Sequence, residues 1–265
     1  MARGGALLAL ALVLAACALG SAGAHAAAPV RLTASFARGA RLGGSTALNL
    51  GVHVNTRLEA SPVAGVRILY PDGLGLVSSS LGLDACTLPA SQYAEILVST
   101  SGLGGCSPNA VMAYGTARAI VRLVQSGQII PEYAALTVLS GPLTSGQLQL
   151  VLYIDGQHPF GARILVAGQA TGAPAPFGGA LQVAFPQIAS LQDLATISLT
   201  DLNISIGTRR ITYYAHGRPY HPDGVALPDR CPRRGFRFAV TLTFAVTSAR
   251  AATAHATVPC SALHA

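Results

Sequence analysis

His216, Tyr220, His221 and Asp223 lie within eight residues of one another, and two imidazoles with a carboxylate can hold a cation such as Zn²⁺. The histidines are five positions apart and interrupted by Pro219 and Pro222, which fits no recognised ligand frame. No metal site is assigned. Asp155-Gly156-Gln157-His158 sets an acid beside a base, and a serine from elsewhere would complete the parts for acyl transfer. Asp-Gly is also a strong hairpin signal, and a tight turn is the reading carried forward. Asp193 and Asp201 could be a glycosidase pair, but nothing in the chain fixes their separation. There is no G-x-S-x-G elbow, HExxH, GxGxxG or EF-hand loop. No catalytic residue and no cofactor is expected, and the chain reads as a non-enzymatic protein.

Charge is sparse and uneven. Of 265 residues only 10% are charged, against 51% hydrophobic, and the formal net charge is +7. Seven arginines, Arg209, Arg210, Arg218, Arg230, Arg233, Arg234 and Arg237, fall in one stretch with only Asp223 and Asp229 to offset them. Forked guanidinium donors suit phosphate and carboxylate groups, so the stretch is a candidate binding face for anionic cell-envelope polymers or lipids. The plainer account is a solvated loop whose charges are screened by salt.

Two absences exclude whole classes of chemistry. All seventeen basic residues are arginine, which removes the lysine of Schiff-base enzymes, P-loops and Ser-Lys dyads. There is no Trp and only 6% aromatic residues, so base-stacking platforms lack material and nucleic acid is not an expected partner.

Residues 1–26 have the layout of an export signal: Arg3, an apolar run from Ala6 to Leu19, and the A-x-A site Ala24-His25-Ala26. Leu14-Ala15-Ala16-Cys17 also fits a bacterial lipobox, in which Cys17 carries the lipid and starts the mature chain. Both readings place residues 27–265 outside the cytoplasm, either secreted or anchored to the outer face of the membrane. The remaining cysteines, Cys86, Cys106, Cys231 and Cys260, are even in number, as expected for disulfides in an exported chain. Three connectivities are open, and pairing of nearest neighbours is favoured. Phe236 to Thr247 and Arg250 to Val258 read as a hairpin turning near Ser248-Ala249, which would bring Cys231 and Cys260 together at its outer ends.

The elements that must position these residues are strands. Period-two alternation runs through Leu48–Val54, Leu148–Ile154, Ile197–Ile206 and Phe236–Phe244, with a phase slip at Asp201-Leu202 that predicts a bulge. Further strands are expected over 31–37, 63–69, 111–124, 134–139, 162–167, 180–185 and 210–214. Only Pro89 to Val98 looks helical, and Ala215 to Gly235 is the longest loop. The fold expected is all-β, an antiparallel sandwich or jelly roll with one short helix. It is read as a single domain, with a linker or long hairpin loop at 168–179.

Cys86 and Gly105-Cys106-Ser107-Pro108, the turn Pro71-Asp72-Gly73, Cys231-Pro232-Arg233-Arg234-Gly235-Phe236 and the ending Thr257-Val258-Pro259-Cys260 carry a likeness. The chain resembles uncharacterised exported β-sandwich proteins of high-GC actinobacteria with two cysteine pairs. It departs from their Cys-Pro motif at Ser107. The resemblance implies a fold and a location, with no activity to carry over. The expected function is an envelope-associated binding or structural module with a basic loop face. The alternative is a carrier of an apolar ligand between sheets, which a solidly packed interior would oppose. A hydrolase with a non-standard triad ranks third.

Overall fold

The computed structural model describes residues 29–57, 61–76, 79–88, 93, 96–97, 103, 105–158, 161–185, 194–245 and 251–263. The leader, Cys17, Asp193 and the expected turn at Ser248-Ala249 lie outside them.

The described residues build sixteen strands: β1 Val30–Phe36, β2 Ser45–Thr46, β3 Leu48–Val54, β4 Val63–Pro71, β5 Ile96–Leu97, β6 Val111–Leu123, β7 Ile129–Thr144 and β8 Gln147–His158. There follow β9 Arg163–Gly172, β10 Phe177–Ala184, β11 Ala195–Ile206, β12 Tyr213–Ala215, β13 Arg218–Tyr220, β14 Val225–Ala226, β15 Phe236–Phe244 and β16 Ala252–Val258. Eleven of them form one antiparallel path, β1-β3-β11-β6-β7-β8-β9-β10-β4-β15-β16, and β5 adds to β9. The two ends of the path, β1 and β16, lie against each other, so the sheet curls into a near-closed barrel. Curling shields the edges that an open sheet of this width would expose. The architecture is the antiparallel all-β fold that the alternation predicts.

Of the stretch Pro89 to Val98, expected to be helical, only Tyr93 and Ile96–Leu97 are among the described residues, and at these the helical expectation is corrected. Ile96–Leu97 is a strand on β9, and Tyr93 bridges to Leu165. β10 pairs with β9 only as far as Gly168, and β5 takes up the β9 backbone left beyond it. Among the described residues the helical elements are single 3₁₀ turns at Pro108–Ala110 and Cys260–Ala262. The 168–179 stretch is a hairpin, with β9 running to Gly172 and β10 starting at Phe177.

The interior has two halves. Between β1, β3, β15 and β16 it is solid: Leu32, Val52, Phe238, Val240 and Leu242 are buried, and Phe36 meets Phe236 edge-to-face at 5.0 Å. The other half, walled by β4 and β6–β11, encloses a lumen. At one end the barrel is closed by the small sheets β12–β13 and β14–β2. Tyr213 is fully buried there; its hydroxyl donates to the Val111 carbonyl and accepts from the Gly82 N–H, both at 2.6 Å.

Candidate functional site: an apolar lumen

Alternation decides what the lumen sees. Even-numbered residues of β8 (Leu150, Leu152, Ile154) and of β7 (Leu136, Val138) point inward, as do Ile164 and Val166 of β9 and Leu181 and Val183 of β10. On β11 the parity changes midway. Ala195, Ile197 and Leu199 line the lumen before Thr200; Leu202, Ile204 and Ile206 line it after. The register against β6 shifts between Leu199 and Asp201, so Thr200 is the extra residue, and its hydroxyl donates to the Arg118 carbonyl at 3.1 Å. The bulge therefore lies one step before the slip legible in the sequence, and it keeps both halves of the strand facing in.

The lumen measures about 870 Å³. Ala117, Ala119 and Ala134, neighbours on β6 and β7, supply width where larger side chains would close it. Among the described lining residues only Glu132 and Thr196 carry hydrogen-bonding side chains. Ordered water needs two to four polar partners each, and this wall offers few. The occupant it suits is apolar.

The lumen opens at the end where β6 finishes and β7 and β11 begin. Leu194 and Ile197 belong to its lining and are also 53% and 38% exposed. The outer face of the wall is covered elsewhere: Leu139, Val151 and Leu165 point away from the lumen and are still buried. Near the Cys86–Cys106 bridge, Leu88, Tyr93 and Leu103 pack against the core, and the Cys86 N–H donates to the Ser140 carbonyl at 2.7 Å.

Arg230, Arg233, Arg234 and Arg237 line a groove with Pro71, Asp72 and Pro176, and Asp72 is the one acid among its described lining residues. Arg209 and Arg210 sit in the exposed turn after β11, and Arg218 is on β13. The Cys231–Cys260 bridge, with Cα atoms 6.1 Å apart, ties the groove's loop to the end of β16. Both nearest-neighbour cystines are thus formed, as oxidising, extracytoplasmic conditions allow. Among the described residues no helix is long and apolar enough to cross a membrane.

The other chemical candidates disperse. His216 occupies a left-handed position (φ 50°) beside Gly217 at the tip of the β12–β13 hairpin. The His221 Nδ1 lies 2.9 Å from the Ile211 carbonyl. Among the described residues no three His, Cys, Asp or Glu side chains gather as a metal site would require. The tight turn expected at Asp155-Gly156 is corrected: β8 continues through it to His158, and Asp155 accepts from Arg163 Nε at 3.1 Å across the strand pair. Asp201 lies 2.8 Å from the His53 Nδ1 across neighbouring strands. Ala215 to Gly235 is a loop only in part, since it carries β13 and β14. Three-residue strands interrupted by proline leave too little alternation to be read. The lumen itself escaped residue-by-residue reading, because alternation shows which side chains face inward and not how far apart the walls stand.

No protein-family model, curated protein or solved structure matches the chain.

Proposed function

We propose that the protein is an extracytoplasmic binder or carrier of an apolar ligand, a lipid-like chain held in the lumen between β4 and β6–β11. The observation that carries this reading is a lumen of about 870 Å³ walled almost wholly by aliphatic side chains. The volume lies in the range of ligand sites, and the near absence of polar groups leaves shape and hydrophobic burial as the means of recognition. The leader fits delivery outside the cytoplasm, where Cys17 would tether the carrier if the lipobox is used.

The test is binding of a fluorescent long-chain fatty acid by the purified chain. Saturable binding is expected, and Ala117→Phe with Ala134→Phe should weaken it by about tenfold or more while circular dichroism stays unchanged. Equal binding by the filled variant would overturn the reading.

A second reading rests on the groove of Arg230, Arg233, Arg234 and Arg237. It is suited to phosphate-bearing envelope polymers. Polyphosphate retention that falls with salt, and falls further in Arg233→Ala/Arg234→Ala than in Arg209→Ala/Arg210→Ala, is the expected result. Retention untouched by the first pair would end it.

A further inference from the structure

We propose that the rim of the lumen, built by Val124, Ile129, Leu194 and Ile197, seats on the surface of a lipid bilayer. The inference rests on the reading that the lumen takes an apolar chain, and it names where that chain comes from. β11 and β7 flank β6, and this brings the four residues to one edge of the barrel. The Val124 N–H donates to the Leu194 carbonyl at 2.9 Å, and the Leu123 N–H to the Gln128 carbonyl at 3.0 Å, closing the hairpin tip. Val124, Ile129 and Leu194 are each more than half exposed. Leu194 and Ile197 belong to the lumen wall as well, so one apolar surface runs from inside the barrel over its lip.

The flanking charge fits a membrane interface. Arg118 and Arg122 are exposed on β6, and the Arg118 guanidinium stands 5.4 Å from the centre of the exposed Tyr133 ring. Arginine and tyrosine reach to headgroup level while aliphatic neighbours enter the acyl region. Two exposed guanidiniums favour anionic leaflets. Glu132, the carboxylate of this hairpin, faces the lumen. A chain with negligible solubility passes between bilayer and lumen most readily where the two apolar phases meet, and the rim is that junction.

The experiment is flotation with vesicles of phosphatidylcholine and phosphatidylglycerol, using the full chain with Cys17→Ser so that no acyl anchor contributes. The comparison is Val124→Asp/Ile129→Asp, two exposed positions outside the lumen wall, with Val124→Ser/Ile129→Ser as a milder pair. Expected are co-flotation of the parent chain, its loss by about tenfold or more in the Asp pair with a partial loss in the Ser pair, and a matching slowing of fatty-acid transfer from vesicles. Binding of the same fatty acid delivered as monomer should be unchanged. A parent chain that does not float, or an Asp pair that floats as well as the parent, overturns the proposal. So does a rim-dependent dimer in sedimentation that forms without vesicle binding. Flotation without monomer binding would fail the lumen reading and leave the docking surface standing.

Discussion

Tyr213 shows how much one polar atom can hold at the closed end. Its hydroxyl joins β6, through Val111, to the Gly82 segment, and the ring is fully buried. Tyr213→Phe keeps the ring and leaves a buried carbonyl and N–H without that partner. The expected cost is about 1–3 kcal/mol, read as a shift in the denaturant midpoint. Burial holds this phenol above the ordinary tyrosine value, opposed by the Gly82 N–H and aided by nearby Tyr220, Asp84 and Tyr114. Burial raises Tyr70 and Tyr93 in the same direction. A folded-state pKa above the unfolded one means that stability is full below about pH 10 and lost as pH rises beyond it. Unfolding free energy measured from pH 8 to 11 should decline at the alkaline end, and less steeply in Tyr213→Phe. At Gly179 the limit is space. Tyr70 lies across it on the paired strand, and even a Cβ would overlap the phenol. Gly179→Ala should therefore lower the melting temperature by displacing Tyr70, which a thermal scan would register.

At the scale of elements, the bulge at Thr200 absorbs one extra residue. It lets β11 keep Ile197 and Leu199 inward on one side and Leu202 and Ile204 inward on the other. Deleting Thr200 would join Leu199 to Asp201 in the register they already hold against Ala119 and Arg118, so both halves of the strand would still face inward without a bulge. The expected outcome is a chain that keeps the sharp thermal transition of the parent and its fatty-acid binding; loss of both would show that the bulge has a role beyond carrying the extra residue. The β15–β16 hairpin depends on a covalent clamp. Cys231 and Cys260 close a loop of sequence separation 29, for which chain entropy gives about 3–4 kcal/mol. Replacing both by Ala should lower stability by an amount of that order in urea titration. The arginine groove, whose loop the clamp ties down, should loosen with it.

The whole molecule is a curled sheet with a filled half and a hollow half. Phe36, Phe236 and Phe238 occupy the former, and Ala117, Ala119 and Ala134 open the latter. Its stability should prove insensitive to filling the lumen. Ala134→Phe is expected to leave the melting temperature within a few degrees of the parent while weakening uptake less than the Ala117→Phe/Ala134→Phe pair does, because the added ring enters free volume and meets no packed wall. Strand identity, the all-β class and the cystine pairs were legible in the chain, because alternation is local and Cys231 and Cys260 bracket a hairpin. The short strands β13 and β14 and the extension of β8 past Asp155-Gly156 were not. Their backbone is specified by partners distant in the chain, Thr46 for Val225 and Ala134 for Gly156. The seven arginines were visible as a cluster in sequence, and only folding brought four of them to line one groove. Composition and periodicity by themselves determined which side chains would leave water. Whether those side chains would meet in the middle or stand apart around a space was decided by the curvature and closure of the sheet, a property of all the strands at once.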